Sequence, residues 1–190
     1  RTATLAVGDQ RAPVLPQAIV IPTGPGGLSA PLRLAALSGS LEGAIALIVL
    51  PYRRWVSLAE PAVSRALTDV FNRGAAAAVL VTTGPTGEAI ALNVSATKPG
   101  FQKPVVVLAP KDAEPYLAAA RAGQSATLVV DAATGRRSAF NLIARLARGA
   151  PKTLIVTTPR SGWFTCAAER DLGSRSGCRW PMAWRPPRRA

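Results

Sequence analysis

Hydrophobic residues occur along this chain in short runs that are separated by turns. The runs are rich in Val, Ile, Leu and Ala and are bounded by Gly, Pro or polar residues, a pattern that predicts buried β-strands. The predicted strands span 2–7, 18–27 (ending in a glycine-proline turn), 44–50, 76–83, 103–110, 126–132, 138–146 and 152–158. The longest apolar run, 44–50, is much shorter than the roughly 20 residues that a membrane helix needs. The sequence therefore predicts no membrane span.

A helix is predicted between the runs 44–50 and 76–83. Ser57 and Glu60 have the spacing of a capping box, with Ser57 as the cap and Glu60 bonding back to the serine amide. Gly74 suits the end of the helix. The apolar positions that follow the box repeat at helical spacing and predict one buried face: Val63, Ala66, Leu67, Val70 and Phe71. A strand–helix–strand unit of this kind favours parallel pairing of its strands.

A second helix is predicted over 112–122. Asp112 lies near its start, Leu117 and Ala120 are expected to face inward, and Gly123 follows as the stop. Many strands against two helices favour an α+β domain over a regular doubly wound sheet.

The order of these segments resembles that of a protease-associated domain. The stretches that carry the resemblance are "LEGAIALIVLP", a helix ending in "DVFNRGAAAAVLVTTG", "KPVVVLAPKDAEPYLAAARAG", "ATLVVDA" and "RRSAFNLIARL". Together they cover roughly residues 30–158. The segment "SAFNLIA" is similar to the exit into a zinc aminopeptidase domain of the glutamate carboxypeptidase and transferrin receptor type.

The resemblance implies a mostly β domain, a twisted sandwich or an open barrel, with two flanking helices over residues 1–135. Residues 136–170 would then be the first strands of an incomplete α/β hydrolase-like domain. Protease-associated domains have no catalytic residues of their own. They accompany secreted or membrane-bound hydrolases, where they cover the active site or bind substrates and partners. This implies an extracellular or periplasmic location. The chain begins at Arg1 without a signal-like opening, so it is expected to be a processed or excised piece.

The chain contains no histidine and only two cysteines. This excludes a Ser-His-Asp or Cys-His nucleophile system within the chain and removes the commonest zinc ligand. In the peptidase family a strand corresponding to 152–158 normally ends in a His-x-Asp pair that serves the zinc centre. Pro159 and Ser161 fall near those positions here, so no metal site and no cofactor are predicted. The spacing leaves open whether Cys166 and Cys178 pair.

The net charge of +13 would ordinarily suggest a nucleic acid or an anionic surface as partner. Its distribution weakens that interpretation, because the arginines before residue 171 are scattered along the chain, singly or at most in pairs. Residues 171–190 contain five arginines against one aspartate, with three prolines and two tryptophans. This segment is predicted to be a disordered or artefactual basic tail. The alternative is a basic and aromatic patch that binds nucleic acid or a membrane surface.

Candidate binding residues lie in "LIVTTPRSGWFTCAAERD", where a predicted strand ends in a loop. Arg160 has a guanidinium that suits a substrate carboxylate, but a solvated arginine is the commoner role. Trp163 either lines a pocket or packs on the core. Glu169 offers one carboxylate, which does not by itself make a metal site. These three residues are the predicted weak binding positions, and no catalytic residue is predicted.

These observations favour a non-catalytic protease-associated module of a peptidase-like protein, without zinc or peptidase activity. A peptide or protein substrate of a parent hydrolase would be its partner. One alternative is a fragment of a metallo-aminopeptidase whose catalytic residues lie in a missing C-terminal part. A second alternative is a basic anion- or nucleic-acid-binding module.

Overall fold

The computed structural model describes residues 2–52, 57–83, 87–93 and 98–135, together with Ser138 and Ile143. Seven β-strands lie in this part of the chain: β1 (Thr2–Val7), β2 (Gln10–Pro16), β3 (Leu28–Leu34), β4 (Ile45–Leu50), β5 (Ala77–Thr82), β6 (Val105–Leu108) and β7 (Ser125–Asp131). Two α-helices accompany them, α1 (Pro61–Asn72) and α2 (Glu114–Arg121), and a 3₁₀ turn (Pro110–Asp112) precedes α2. The chain divides after Arg137 into two compact units, and all of these elements belong to the first.

The seven strands form a closed barrel in the order β1-β2-β6-β5-β4-β3-β7. The neighbours β3, β4, β5 and β6 are parallel, and the other pairs are antiparallel. Strand β7 closes the sheet because it pairs with β1 along one side and with β3 along the other. The described domain is therefore mostly β with two helices, as predicted, but the expected sandwich or open barrel is wrong.

Two strands of the barrel differ from those that the sequence predicts. The run 18–27 forms no strand, because Ile19 has a φ of 54°, a left-handed backbone conformation that does not fit an extended strand. Val20 instead packs against the core of the barrel. Strands β2 and β3 were not predicted from the sequence. Each contains proline, which interrupts the apolar pattern, and β2 follows β1 through a tight turn at Gly8 and Asp9.

The parallel unit β4–α1–β5 is confirmed, although α1 begins later than predicted. Its cap is Glu60 rather than Ser57, since Pro61 lacks an N–H and suits the first helical position. Half of the capping box is present, because the Ser57 amide donates to Glu60 Oε1 at 3.2 Å. The helix ends as predicted at Gly74, whose φ is +94°.

Helix α2 is shorter than the predicted 112–122. Its start shifts to Glu114 because Pro110 to Asp112 form the preceding 3₁₀ turn. Gly123, with a φ of +64°, follows the helix as predicted. Ala120 is buried as expected, and Leu117 is only partly buried because Tyr116 takes the central inward position.

The apolar side chains form two clusters, one inside the barrel and one between the barrel and α1. Along β4, Ile45 and Leu47 point into the barrel, while Ala46, Ile48 and Leu50 belong to the cluster that includes the buried face of α1. Burial on both faces explains why β4, β5 and β6 are almost continuously aliphatic in sequence. Neither helix among the described residues has the length and apolarity needed to cross a bilayer.

Tyr116 is the largest fully buried side chain, and α2 carries it into the barrel core. Its hydroxyl donates a hydrogen bond to the carbonyl of Leu5 at 3.0 Å. Burial raises the pKa of Tyr116, and the carboxylate of Asp112 raises it further. The tyrosine therefore keeps its proton, and with it this hydrogen bond, in moderately alkaline solution.

Replacing Tyr116 with Phe should lower the free energy of unfolding by about 1 kcal/mol at neutral pH, because the hydrogen bond from the hydroxyl to the Leu5 carbonyl is lost. Above about pH 10 the unfolded tyrosine ionises while the folded one stays protonated, so the native protein loses stability as pH rises. The Tyr116→Phe variant should lose less stability over the same pH range. Urea unfolding at several pH values measures both effects. Tyr52→Phe, at an exposed tyrosine, is the control, and identical pH profiles for native protein and Tyr116→Phe would contradict the expectation.

The predictions about residues 136–190 lie outside the described residues. They are the strands over 138–146 and 152–158, the incomplete peptidase-like domain 136–170 and the basic tail 171–190. Only Ser138 and Ile143 of these segments are described.

Candidate binding surface

The three binding residues predicted from the sequence, Arg160, Trp163 and Glu169, lie outside the described residues. A candidate surface in the described part of the chain therefore rests on other side chains. In parallel sheets, functional groups gather where the carboxyl ends of the strands meet.

The carboxyl ends of β4, β5 and β6 lie side by side at one end of the barrel. Leu50 is paired with Thr82, and Val81 with Leu108, so the three strands finish almost in register. Five residues at or just beyond these ends define what we name the carboxyl-end surface: Val49, Tyr52, Thr83, Glu88 and Lys111.

Hydrogen bonds fasten the loops that form this surface. The Thr83 hydroxyl donates to the carbonyl of Leu50 at 2.7 Å, which joins the ends of β4 and β5. The hydroxyl of Thr82, which is buried, accepts a bond from the Ile90 amide at 3.2 Å. The Lys111 amide donates to the Gly87 carbonyl at 3.0 Å. The loop after β5 is thus tied both to the end of β5 and to the chain that follows β6.

The charged groups of the carboxyl-end surface form an ion pair. Lys111 Nζ lies 2.6 Å from Glu88 Oε1, and each side chain is about half exposed. The hydrogen bond to Glu88 raises the pKa of Lys111. An exposed pair of this kind contributes little to stability and weakens in salt. Its main consequence is that these two residues present no net charge.

Two apolar side chains of the same surface are unusually exposed. Val49 is 49% exposed and Tyr52 is 69% exposed, although Ile45 and Leu47 on the same strand are buried in the barrel. Val49 continues the inward-facing positions of β4, since alternate residues share a face. The valine therefore lies at the mouth of the barrel, on a side where the neighbouring strand does not cover it.

The contacts of Arg73 explain why β3 does not continue beside Val49. The ladder between β3 and β4 stops at the pair Leu34 and Leu47, where the chain turns away. The guanidinium of Arg73, at the end of α1, donates hydrogen bonds to the carbonyls of every second residue in the departing chain: Ala35, Leu37 and Gly39. It also contacts Asp69 at 3.2 Å. These bonds hold residues 35–39 away from the last residues of β4.

Sequence reasoning missed both Arg73 and Val49. The run 44–50 predicted a wholly buried strand, and nothing in its composition marks Val49 as exposed. For Arg73 one signal was present, since a basic residue just before a helix-ending glycine commonly bonds to nearby carbonyls.

The described residues do not offer a zinc site. No group of three or more His, Cys, Asp or Glu side chains in this part of the chain is placed to hold a metal ion. The sequence as a whole contains no histidine.

Comparison with known structures relates the fold to part of a peptidase. The chain is similar to BSAP, a zinc aminopeptidase from Bacillus subtilis, with 22% identity and a TM-score of 0.50 over 72% of this chain and 32% of that one. A second structure of BSAP gives 23% identity and a TM-score of 0.49 over 70% and 31%. The subtilisin-like protease Apa1 from the Antarctic psychrotroph Pseudoalteromonas sp. AS-11 gives 18% identity and a TM-score of 0.46 over 67% of this chain and 32% of that one.

The match to BSAP at a TM-score of 0.50 shows that the fold of this chain is similar to part of that structure. This chain spans about a third of the length of the structures it matches. No family model matches the sequence, and no curated protein matches it.

Proposed function

We propose that residues 1–135 are a non-catalytic, protease-associated-type module that binds a substrate or partner of a peptidase-like protein. The observation that carries the proposal is the closed barrel itself, whose fold is similar to part of a zinc aminopeptidase. The barrel interior is occupied by aliphatic side chains, among them Leu32, Leu47 and Leu128. Recognition therefore falls to the outer surface.

The carboxyl-end surface is the part of that exterior best suited to binding. Val49 and Tyr52 expose apolar area that would gain free energy when a partner covers it. The hydrogen bonds from Thr83 to Leu50 and from Lys111 to Gly87 join the described residues of the surface, so these residues lose little conformational entropy on binding. Both properties suit a site for a peptide or a protein segment.

The remainder of the proposal concerns residues 136–170, which we assign as an incomplete peptidase-like domain without zinc. The resemblance to zinc aminopeptidases supports this assignment, because Pro159 and Ser161 fall near the positions where that family carries its zinc-binding residues. The competing assignment is a piece of an active metallo-aminopeptidase whose ligands are supplied by chain beyond residue 190.

The purified chain, after incubation with excess zinc and desalting, should retain about 0.1 zinc per chain or less, because it lacks the histidine that zinc sites use most. It should release no more nitroaniline from leucine p-nitroanilide than zinc alone. Atomic emission and absorbance measure the two quantities. An active aminopeptidase carried through the same steps is the control, and stoichiometric zinc together with turnover would overturn the proposal.

A further inference from the structure

At Val49 the hydrogen-bonding groups of the β4 backbone face a side of the strand on which no described residue pairs with them. The N–H and C=O groups of alternate residues point to opposite sides of a strand. The carbonyl of Leu47 accepts from the Ala35 amide, so Leu47 faces β3. Val49, two residues later, faces the same side. Ile48 and Leu50 face the opposite side, where β5 pairs with β4 through the register Leu50↔Thr82.

Strand β3 does not reach Val49. Pairing between β3 and β4 ends at Leu34↔Leu47, and the next carbonyl, of Ala35, accepts a hydrogen bond from Arg73 Nη1 at 2.8 Å. Among the residues that the structure describes, none forms a hydrogen bond with Val49 on this side. Within the described residues the barrel thus has a short unpaired edge at Val49, with an exposed apolar side chain at the same position.

We propose that this edge binds an extended peptide, one residue of which exchanges two backbone hydrogen bonds with Val49. The proposal rests on the proposed binding role and names its ligand. Addition of a strand to an open edge satisfies backbone groups that are otherwise left to water. The pairing stops after one residue because Pro51, the next residue facing this side, has no N–H to donate. The peptide is therefore held by a single bridge.

The chemistry around the edge selects the kind of peptide. Val49 and Tyr52 offer apolar contact, which favours small or branched apolar side chains on the peptide residue that pairs. The ion pair between Lys111 and Glu88 means that these two residues add no net charge, so the apolar contacts with Val49 and Tyr52 decide the choice of peptide. An extended segment with an apolar residue other than proline at the pairing position fits best.

Amide hydrogen exchange of the free protein tests the open edge. The Val49 amide should exchange at least about 100-fold faster than the amides of Ile48 and Leu50, which face β5 within the same strand. Equal protection of the three amides would mean that another part of the chain covers Val49, which would overturn the proposal.

A peptide titration followed by amide chemical shifts tests the ligand. Acetyl-Ser-Val-Thr-Val-Ser-amide should shift the Val49 amide and slow its exchange. The same peptide with N-methyl groups on both valines should bind about 10-fold more weakly or not at all, because it loses the donated bond. Val49→Lys should weaken binding several-fold, because a lysine at a strand edge opposes strand addition. Ala118→Lys, at an exposed position on helix α2, should leave binding unchanged.

The outcomes separate this inference from the proposed function. Shifts confined to residues away from β4 would overturn the edge assignment and leave the binding role standing. Shifts at no residue would overturn both. Concentration-dependent shifts of Val49 without peptide would assign the edge to a second copy of the chain and would overturn the peptide as its ligand.

Discussion

Replacing Arg73 with Ala should lower the free energy of unfolding by about 2–4 kcal/mol. The guanidinium donates to the carbonyls of Ala35, Leu37 and Gly39 and also contacts Asp69. Bonds from a charged donor are stronger than neutral ones, and the Arg73 side chain is only 21% exposed. Removal of the side chain leaves three carbonyls without their donor at the point where the chain turns away from β4. Urea unfolding followed by circular dichroism measures the change.

Arg121 provides the matched control for Arg73. It ends α2 as Arg73 follows α1, but its ion pair with Glu114 spans 3.5 Å and both side chains are well exposed. Arg121→Ala should therefore lower the free energy of unfolding by less than about 0.5 kcal/mol. Arg73→Lys should recover only part of the lost stability, since an ammonium cannot reach three separate carbonyls with the fixed geometry of a guanidinium. Equal losses for Arg73→Ala and Arg121→Ala would show that the three carbonyl bonds contribute nothing.

The parallel half of the barrel could be predicted from sequence because its signals are local. Strands β4 and β5 are aliphatic runs, and α1 between them has a periodic apolar face with a glycine after it. Each signal lies within a few residues of the structure it specifies. Helix α1 begins later than predicted because Pro61, a second local signal, suits the first helical position better than the capping-box spacing does.

Barrel closure could not be predicted because it depends on pairs that are distant in sequence. Strand β7 must pair with β1 through Leu5↔Leu128 and with β3 through Leu28↔Leu128, contacts that span most of the described chain. On its other side the proline-containing strand β2 pairs with β6 through Val14↔Leu108, which is again a contact between distant parts of the sequence. In the same way, the run 18–27 has strand-like composition but is fixed as a loop by its place in the barrel.

The candidate surface could not be predicted from sequence for the same reason, because it depends on contacts between distant residues. Sequence reasoning looked for function where chemically distinctive residues cluster, around Arg160 and Trp163. The exposed edge at Val49 instead arises because Arg73, 24 positions later in the numbering, holds a different segment away from it. A valine in an aliphatic run has no chemical mark that distinguishes an open edge from a buried strand. Only the register of three strands reveals it.

Replacing Gly74 with Ala should lower the free energy of unfolding by about 2–5 kcal/mol. The φ of +94° is unfavourable for any residue with a Cβ, and the added carbon would lie 2.9 Å from the Cα of Glu42 as well as against its carboxylate. A backbone atom cannot move aside as a flexible side chain can. The segment that would have to shift is also bonded to the end of α1, because the Leu41 amide donates to the Arg73 carbonyl at 2.8 Å and the Gly43 amide to that of Gly74 at 3.1 Å.

Gly43→Ala separates the two costs at Gly74. Gly43 has a similar positive φ of +67°, but a Cβ there would meet no atom within 4 Å. The Gly43→Ala variant should therefore lose only the cost of the left-handed backbone conformation, about 1–2 kcal/mol of unfolding free energy. Thermal or urea unfolding of both variants gives the difference, which isolates the close contact between Glu42 and the end of α1. If the two variants lost the same stability, the contact with Glu42 would carry no cost, and the attachment of α1 to the chain before β4 would be looser than the hydrogen bonds between them indicate.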